Sequence, residues 1–420
     1  MYQKTTLDNG LRVITSHMPH THSVCIAIFI NIGSRYESDT EAGTSHFIEH
    51  ILFRGTQKRP TPREISEAIE GVGGILNGAT DKELTFYWCK VSEEHFVDAA
   101  DVLADMLLDS SFKPEDIEKE RHVIIEEINM CKDSPSQQVG LLIDELLWPQ
   151  HPLGRDIAGT KETVGMIDRS KLLSYFHDRY TPENTVIAVT GNIQHQEVLG
   201  VIDRLLGNWS NHRPRSNYMV YTEIPGKRLM IEERDTEQAH LCLALPGISI
   251  LDPQRFSLDL LNVILGEGMS SRLFSEIRDK LGLAYSITSY VDHFLDTGSL
   301  TISASVDPGN LNQAVEAVLT QLELLKDGIP EAEMHKAREI SKGRLVLRME
   351  DSRNVAGWLG GQEVLIQNIL TLGEVISIIN SIKVYQVQQI ARQLIDTSKY
   401  KLAVVGPITE FGTLKELLKI

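Results

Sequence analysis

The sequence predicts an α+β protein made of two related domains, and three observations carry that expectation. The chain has 420 residues, 42% hydrophobic and 24% charged. That is an ordinary globular composition, with room for two or three domains at roughly 150 residues each. Strand-like and helix-like patterns alternate along its length. A segment near the middle also returns near the end: Tyr180 to Gly191 resembles Asp396 to Gly406, an offset of 215 residues. Each copy follows an amphipathic helix and precedes another, Gln196–Leu206 in the first half and Phe411–Leu418 in the second. A period of half the chain with matching flanks points to duplication.

The elements follow in order. Asn9-Gly10, between strand patterns at Lys4–Leu7 and Arg12–Ser16, predicts a hairpin with a type I′ turn, because both residues tolerate positive φ. Val24–Ile32 reads as a core strand. Its apolar run, Val24–Ile30, is far too short to cross a bilayer, which takes about 20 residues. Helical patterns cover Glu41–Leu52, Thr61–Gly71, Glu93–Leu108, Glu115–Cys131 and Asp168–Arg179, with strand patterns at Leu84–Val91 and Val186–Thr190. Pro114 and the acids after it open the fourth helix, and Asp133-Ser134-Pro135 closes it. Gly207–Gly226, rich in Asn, Ser, Arg and Pro, reads as a linker. Arg228–Glu232 and Ala239–Leu245 then restart the opening strand pattern. The expected division is a first domain over residues 1–207, a linker over 208–226 and a related domain over 227–420.

Charge and cysteine content exclude some functions. With 41 basic and 58 acidic side chains the formal net charge is −17, which disfavours binding to nucleic-acid phosphates. It favours cationic ligands, or only solubility. Cys25, Cys89, Cys131 and Cys242 are far apart, with no C-x-x-C pair. This argues against a disulfide framework or thiolate metal site and for a reducing compartment. The first residues lack the basic-then-apolar layout of a signal peptide, so the expected localisation is cytoplasmic.

The sharpest motif is His46-Phe47-Ile48-Glu49-His50. On a helix the two histidines, four residues apart, share a face and can reach one cation. Glu49 lies about 300° round from His46 and edges that face. This is the reverse order of the H-E-x-x-H metalloprotease helix. A catalytic zinc takes a third protein ligand and keeps one position open. The candidate stretch is Lys113–Ile128, where Glu120 and Glu127 are two turns apart on one face and Glu126 points about 100° away. By its residues alone, that stretch is equally a solvated acidic helix face.

The segment Gly43–Thr56 resembles the zinc-site signature of the pitrilysin family, which includes insulin-degrading enzyme, the mitochondrial processing peptidases and bacterial homologues. The resemblance covers essentially the whole chain. It implies two homologous domains, each an antiparallel-rich sheet with helices packed on it, the first binding zinc and the second not. The family's third ligand is a glutamate 77 positions after the second histidine, where this chain has Glu127. One Zn2+ per chain would then sit on His46, His50 and Glu127. Glu49 would be the general base toward a metal-activated water. Glu120 matches a further glutamate that would hold a ligand from behind.

Other segments also resemble family features. Gly73–Tyr87 is similar to a substrate-binding edge strand, which can pair its backbone with an extended peptide. Asn77 and Ala79 fall on the matching positions, whereas Gly78 stands where a bulkier residue is common. In the second half, Phe256–Leu265 carries no ligands, and Gly266-Glu267-Gly268 does not complete a nucleotide fingerprint. Arg278 and Tyr285 match an Arg/Tyr pair that helps hold the substrate backbone and the oxyanion. The family's complete chamber uses four domains. One chain carrying both sets therefore implies a homodimer, with zinc from one protomer and the Arg/Tyr pair from the other.

The implied activity is that of a zinc metalloendopeptidase on extended oligopeptides or presequence-like peptides, and the net charge suggests basic ones. Two alternatives accompany it. A catalytically silent scaffold subunit, of the kind found in respiratory complexes, typically lacks part of the ligand set. A small metal-dependent lyase shares the His-x-x-Glu-His order, but as a single small domain.

Overall fold

Six strands of the first half form one sheet in the computed structural model, which describes residues 2–210 and 217–419. They are β1 (Tyr2–Thr6), β2 (Arg12–His17), β3 (Ser23–Ile30), β4 (Ile75–Thr80), β5 (Thr85–Ser92) and β6 (Thr185–Gly191), in the order β1-β2-β6-β3-β5-β4. Helices α1 (Thr44–Leu52), α2 (Pro62–Glu70), α3 (Phe96–Leu108) and α4 (Pro114–Asp133) come next, then α5 (Pro135–Leu147), α6 (Lys161–Met166), α7 (Arg169–Arg179) and α8 (His195–Leu206).

The second half supplies β7 (Leu229–Glu233), β8 (Ala239–Pro246), β9 (Ala284–His293), β10 (Gly298–Val306) and β11 (Lys401–Gly406), in the order β7-β11-β8-β10-β9. Its helices are α9 (Arg255–Leu265), a π-helical segment at Phe274–Lys280, α10 (Leu311–Asp327), α11 (Glu331–Arg348), α12 (Ser352–Ile366), α13 (Leu372–Ser381), α14 (Val384–Leu394) and α15 (Gly412–Leu418). Of the linker expected at 208–226, residues 211–216 lie outside the described residues.

With β1 set aside, the two sheet orders coincide strand for strand. Only one pair in each sheet is parallel, β2 with β6 and β7 with β11. The remaining pairs are antiparallel. The segment that repeats in the sequence is therefore the same interior strand in both sheets. All seven residues of β6 are buried, which accounts for its unbroken apolar run where a half-exposed strand would alternate.

Period-two alternation writes two cores into the first sheet. Val24, Ile26, Ile28 and Ile30 of β3 join Phe47 and Ile51 of α1 and Leu103 of α3 in one cluster. Cys25, Ala27 and Phe29, pointing the other way, join Ala356, Leu359 and Val364 of α12. That helix comes from the second half of the sequence. It is tied down by Lys4–Glu363 at 2.6 Å and Lys90–Asp351 at 2.6 Å. Gly360 is required for its approach, since a Cβ there would come within 2.2 Å of the Phe29 ring.

The converse occurs in the second sheet. Val139, Ile143, Leu146 and Leu147 of α5 cluster with Cys242, Ala244, Ala403 and Val405. The compact units are accordingly discontinuous. The first comprises Met1–Ile128, Arg155–Met219 and Val346–Thr371; the second comprises Asn129–Gly154, Val220–Leu345 and Leu372–Ile420.

The structure corrects local expectations. The first hairpin turn is not type I′. Gly10 N–H donates to Leu7 O at 2.9 Å, and Leu7 N–H donates to Leu11 O at 2.9 Å. Gly10 has φ of 90°, but Asn9 is not among the positive-φ residues. This is a type I turn followed by a left-handed glycine, the usual three-residue hairpin loop. The Asn9 side chain is committed elsewhere, donating to Leu206 O at 2.8 Å and accepting from Leu11 N–H at 3.1 Å. The metal-motif helix also starts at Thr44, not at Glu41. No helix among the described residues is long and apolar enough to cross a membrane.

Candidate metal centre

Helix α1 begins abruptly. Gly43 has φ of 93°, and a Cβ there would come within 2.5 Å of Ala158 O, so a glycine is needed on both counts. Gly43 has no side chain to cap the helix. The Glu37 carboxylate supplies the cap from upstream, accepting from Gly43 N–H at 2.8 Å and Ser45 N–H at 2.6 Å. These bonds satisfy amides that a helix start leaves orphaned. Phe47, Ile48, Ile51 and Leu52 then anchor one face of the helix in the core.

On the other face, His46 Nε2 and His50 Nε2 are 3.3 Å apart. Glu127 Oε2 from α4 lies 3.7 Å from the first and 3.6 Å from the second. This is the only group of three such donors found among the described residues. Zinc bonds of about 2.0–2.1 Å at tetrahedral angles place donors roughly 3.3–3.4 Å apart, so the spacing fits a single zinc ion.

The electrostatics agree with that fit. Burial, with His50 as a smaller cause, pushes His46 down to about 3, and burial also lowers His50. Two neutral imidazoles facing each other beside a carboxylate make a donor set suited to a cation. Glu126 is exposed, whereas Glu127 joins the group.

Behind the donors, His50 Nδ1 lies 2.8 Å from Glu120 Oε2. Glu120 is buried and paired with the Arg54 guanidinium. With Nδ1–H donated to Glu120, the His50 Nε2 lone pair is left facing the group. His46 is held differently: its Nδ1 is buried and has no hydrogen-bond partner among the described residues.

Glu49 stands beside the donor group and outside it. Its Oε2 accepts from Thr80 Oγ1 at 2.6 Å. Burial raises its pKa and Glu127 adds to the rise, while the Thr80 bond and His50 oppose it. Thr80 ends β4, an edge strand whose one partner is β5. Alternation puts Gly78 on the same side as Thr80, and Asn77 and Ala79 on the other. A Cβ on Gly78 would lie 3.1 Å from Phe53, 3.2 Å from Tyr87 and 3.3 Å from Glu49 Cγ. The glycine thus lets the strand lie close over Glu49. The sequence reading missed Thr80. Its available signal was a hydroxyl at the end of the edge strand, in phase with Gly78.

Among the described residues the second unit offers no equivalent. On α9, Asp259 pairs with His293 at 3.2 Å, and Asn262 Oδ1 accepts from Ser289 Oγ at 2.6 Å. Arg278 is exposed, its guanidinium 4.6 Å from the Phe274 ring centroid. Tyr285, on the edge strand β9, is 73% exposed. The structure thus gathers His46, Glu49, His50, Glu120 and Glu127 in the first unit, and Arg278 and Tyr285 belong to the second.

Two family models match successive stretches of the chain. Residues 12–161 match the family described as Insulinase (Peptidase family M16), and residues 166–341 match the Peptidase M16 inactive domain. A Bacillus subtilis protein described as the uncharacterized zinc protease YmxG is 37% identical, over 97% of this chain and 98% of that protein. A Mycobacterium leprae protein, also described as an uncharacterized zinc protease, is 37% identical over 99% of this chain and 94% of its own length. The chain belongs to peptidase family M16.

Solved structures share its fold. A protease from Helicobacter pylori superposes with a TM-score of 0.90 at 23% identity, covering 97% of this chain and 99% of that one. A chain of complex III2 from Candida albicans gives 0.84 at 19% identity, covering 99% of each.

Proposed function

We propose that this protein is a zinc-dependent endopeptidase acting on extended oligopeptides. The observation that carries the reading is the convergence of His46, His50 and Glu127 at tetrahedral donor spacing, with Glu49 beside them. Zinc held there would supply Lewis acidity toward a peptide carbonyl and lower the pKa of a water at the open position. Glu49 takes the proton from the attacking water and passes it to the amide nitrogen as the C–N bond breaks. Thr80 fixes the Glu49 carboxylate, and Glu120 fixes the His50 ring. The free edge of β4 pairs with the substrate backbone, with Asn77 and Ala79 on the binding strand.

The same reading divides the chain into a catalytic first domain and a related second domain that binds no metal. The second domain's part is Arg278 and Tyr285, exposed donors that hold the substrate backbone and the oxyanion. Two copies form a homodimer around a chamber, each site taking the partner subunit's Arg278 and Tyr285. Presequence-like, basic peptides are the substrates that a net charge of −17 favours.

The test is zinc content by atomic absorption together with cleavage of a basic fluorogenic peptide, with Glu49→Gln as control. We expect one zinc per chain in both proteins and cleavage only by wild type. Zinc retained without cleavage by wild type would leave a scaffold subunit instead.

A further inference from the structure

We propose that Glu37 is a positioning residue of the metal centre. Its carboxylate fixes the first turn of α1, and through that backbone it sets His46. The inference rests on reading His46, His50 and Glu127 as a zinc site.

The argument begins with an asymmetry between the two histidines. His50 is oriented through its ring, by Glu120 at 2.8 Å. The His46 ring has no such guide, because Nδ1 is buried without a partner among the described residues. Its aim must therefore come from packing and from the backbone that carries it. That backbone is the third residue of a nine-residue helix. A helix this short has little stability of its own, and its first amides have no partners within it.

Glu37 provides what the helix lacks. It is 3% exposed, and its two oxygens bridge Gly43 N–H and Ser45 N–H, the second immediately before His46. Charge-assisted bonds of this kind are stronger than neutral ones, and a carboxylate suits a helix N-terminus. Ser45 Oγ and Tyr175 OH, 2.8 Å apart, hold the same turn from the side.

Glu37 is itself anchored. Its carbonyl accepts from Arg155 Nη2 at 2.5 Å. The preceding turn, Ser34–Tyr36, hangs on the β4–β5 connection, with Ser34 N–H donating to Asp81 O at 3.2 Å and Arg35 N–H to Lys82 O at 2.8 Å. The connection that follows Thr80 thus holds the turn that presents Glu37. One short run of backbone supports the partner of Glu49 and, through Glu37, the metal helix.

The test compares zinc affinity by chelator competition in wild type, Glu37→Gln and Glu37→Asp. It is run at about pH 8, above the value of about 7 to which burial raises Glu37. Each variant is first checked for folding by circular dichroism without metal. Gln keeps the size but turns an NH2 toward an amide. Asp keeps the charge but loses reach. Supporting partners of this kind change metal affinity by about 10–100-fold. We expect a loss in that range for Gln, a smaller one for Asp, and an altered visible spectrum in the cobalt-substituted Gln variant. Folded variants with wild-type affinity and an unchanged cobalt spectrum would overturn the proposal. If Gln fails to fold, the Asp variant alone decides, by the same affinity and spectrum. A wild-type chain that binds no zinc would instead remove the site reading on which the proposal stands.

Discussion

Helices α1 and α9 occupy the same place in two sheets of the same order, each after the strand that pairs with the repeated one. They differ in what their polar groups do. Those of α9 are spent on neighbours, Asp259 on His293 and Asn262 on Ser289. Those of α1 converge, leaving two imidazole nitrogens facing each other and a carboxylate. The supporting helices diverge in the same way. Helix α4 buries Glu120 and brings Glu127 to the group, whereas α11 buries only Met334 and Ala337 and pairs Glu339 with Lys342 at 2.6 Å. The scaffold is duplicated and the donor group is not, so the group is a set of residues that the fold itself does not demand.

Several substitutions would break or sharpen that contrast. The largest effect should come from His46→Ala or from chelation. Either should abolish both zinc binding and peptide cleavage, measured by metal content and turnover; activity surviving both would mean that α1 is no more a metal helix than α9. Glu49→Gln should keep zinc and lower kcat by about 10²–10⁴-fold. Glu120→Gln should weaken zinc binding by about 10–100-fold, read by competition with a chelator, while the fold persists by circular dichroism.

Gly78→Ala should act more gently. Phe53, Tyr87 and Glu49 must each give by a few tenths of an ångström, at a stability cost of about 1–3 kcal/mol and with reduced kcat. The smallest effect belongs to α9. Asp259→Asn should shift stability by about 1 kcal/mol or less, because this partly exposed pair is screened. Zinc content should not change. Zinc lost with Asp259→Asn would show that the second unit takes part in metal binding.

Much of this contrast was legible in the sequence. His46, Glu49 and His50 announce themselves by spacing, and the β6 and β11 repeat by its apolar run. The third ligand was not derivable from spacing alone, since Glu120, Glu126 and Glu127 all lie on one acidic helix; the resemblance supplied Glu127. Thr80 and Glu49 are 31 positions apart, and nothing local links them. Glu37 was not legible because a helix cap is expected beside the helix start, and here it reaches forward from six residues before Gly43. The exchange of α5 and α12 was illegible for another reason. An amphipathic pattern says that a helix buries one face, but not against which sheet.

That exchange also bears on when the protein can mature. Synthesis completes β6 at Gly191, yet the helix covering Cys25, Ala27, Phe29 and Trp88 ends only at Ile366. At about 5–20 residues per second this is a wait of roughly ten to thirty-five seconds with one face of the first sheet lacking that helix. A chain cut short before that point lacks the helix that packs on this face. The order of translation therefore separates this sheet from its second cover by about 175 residues of chain.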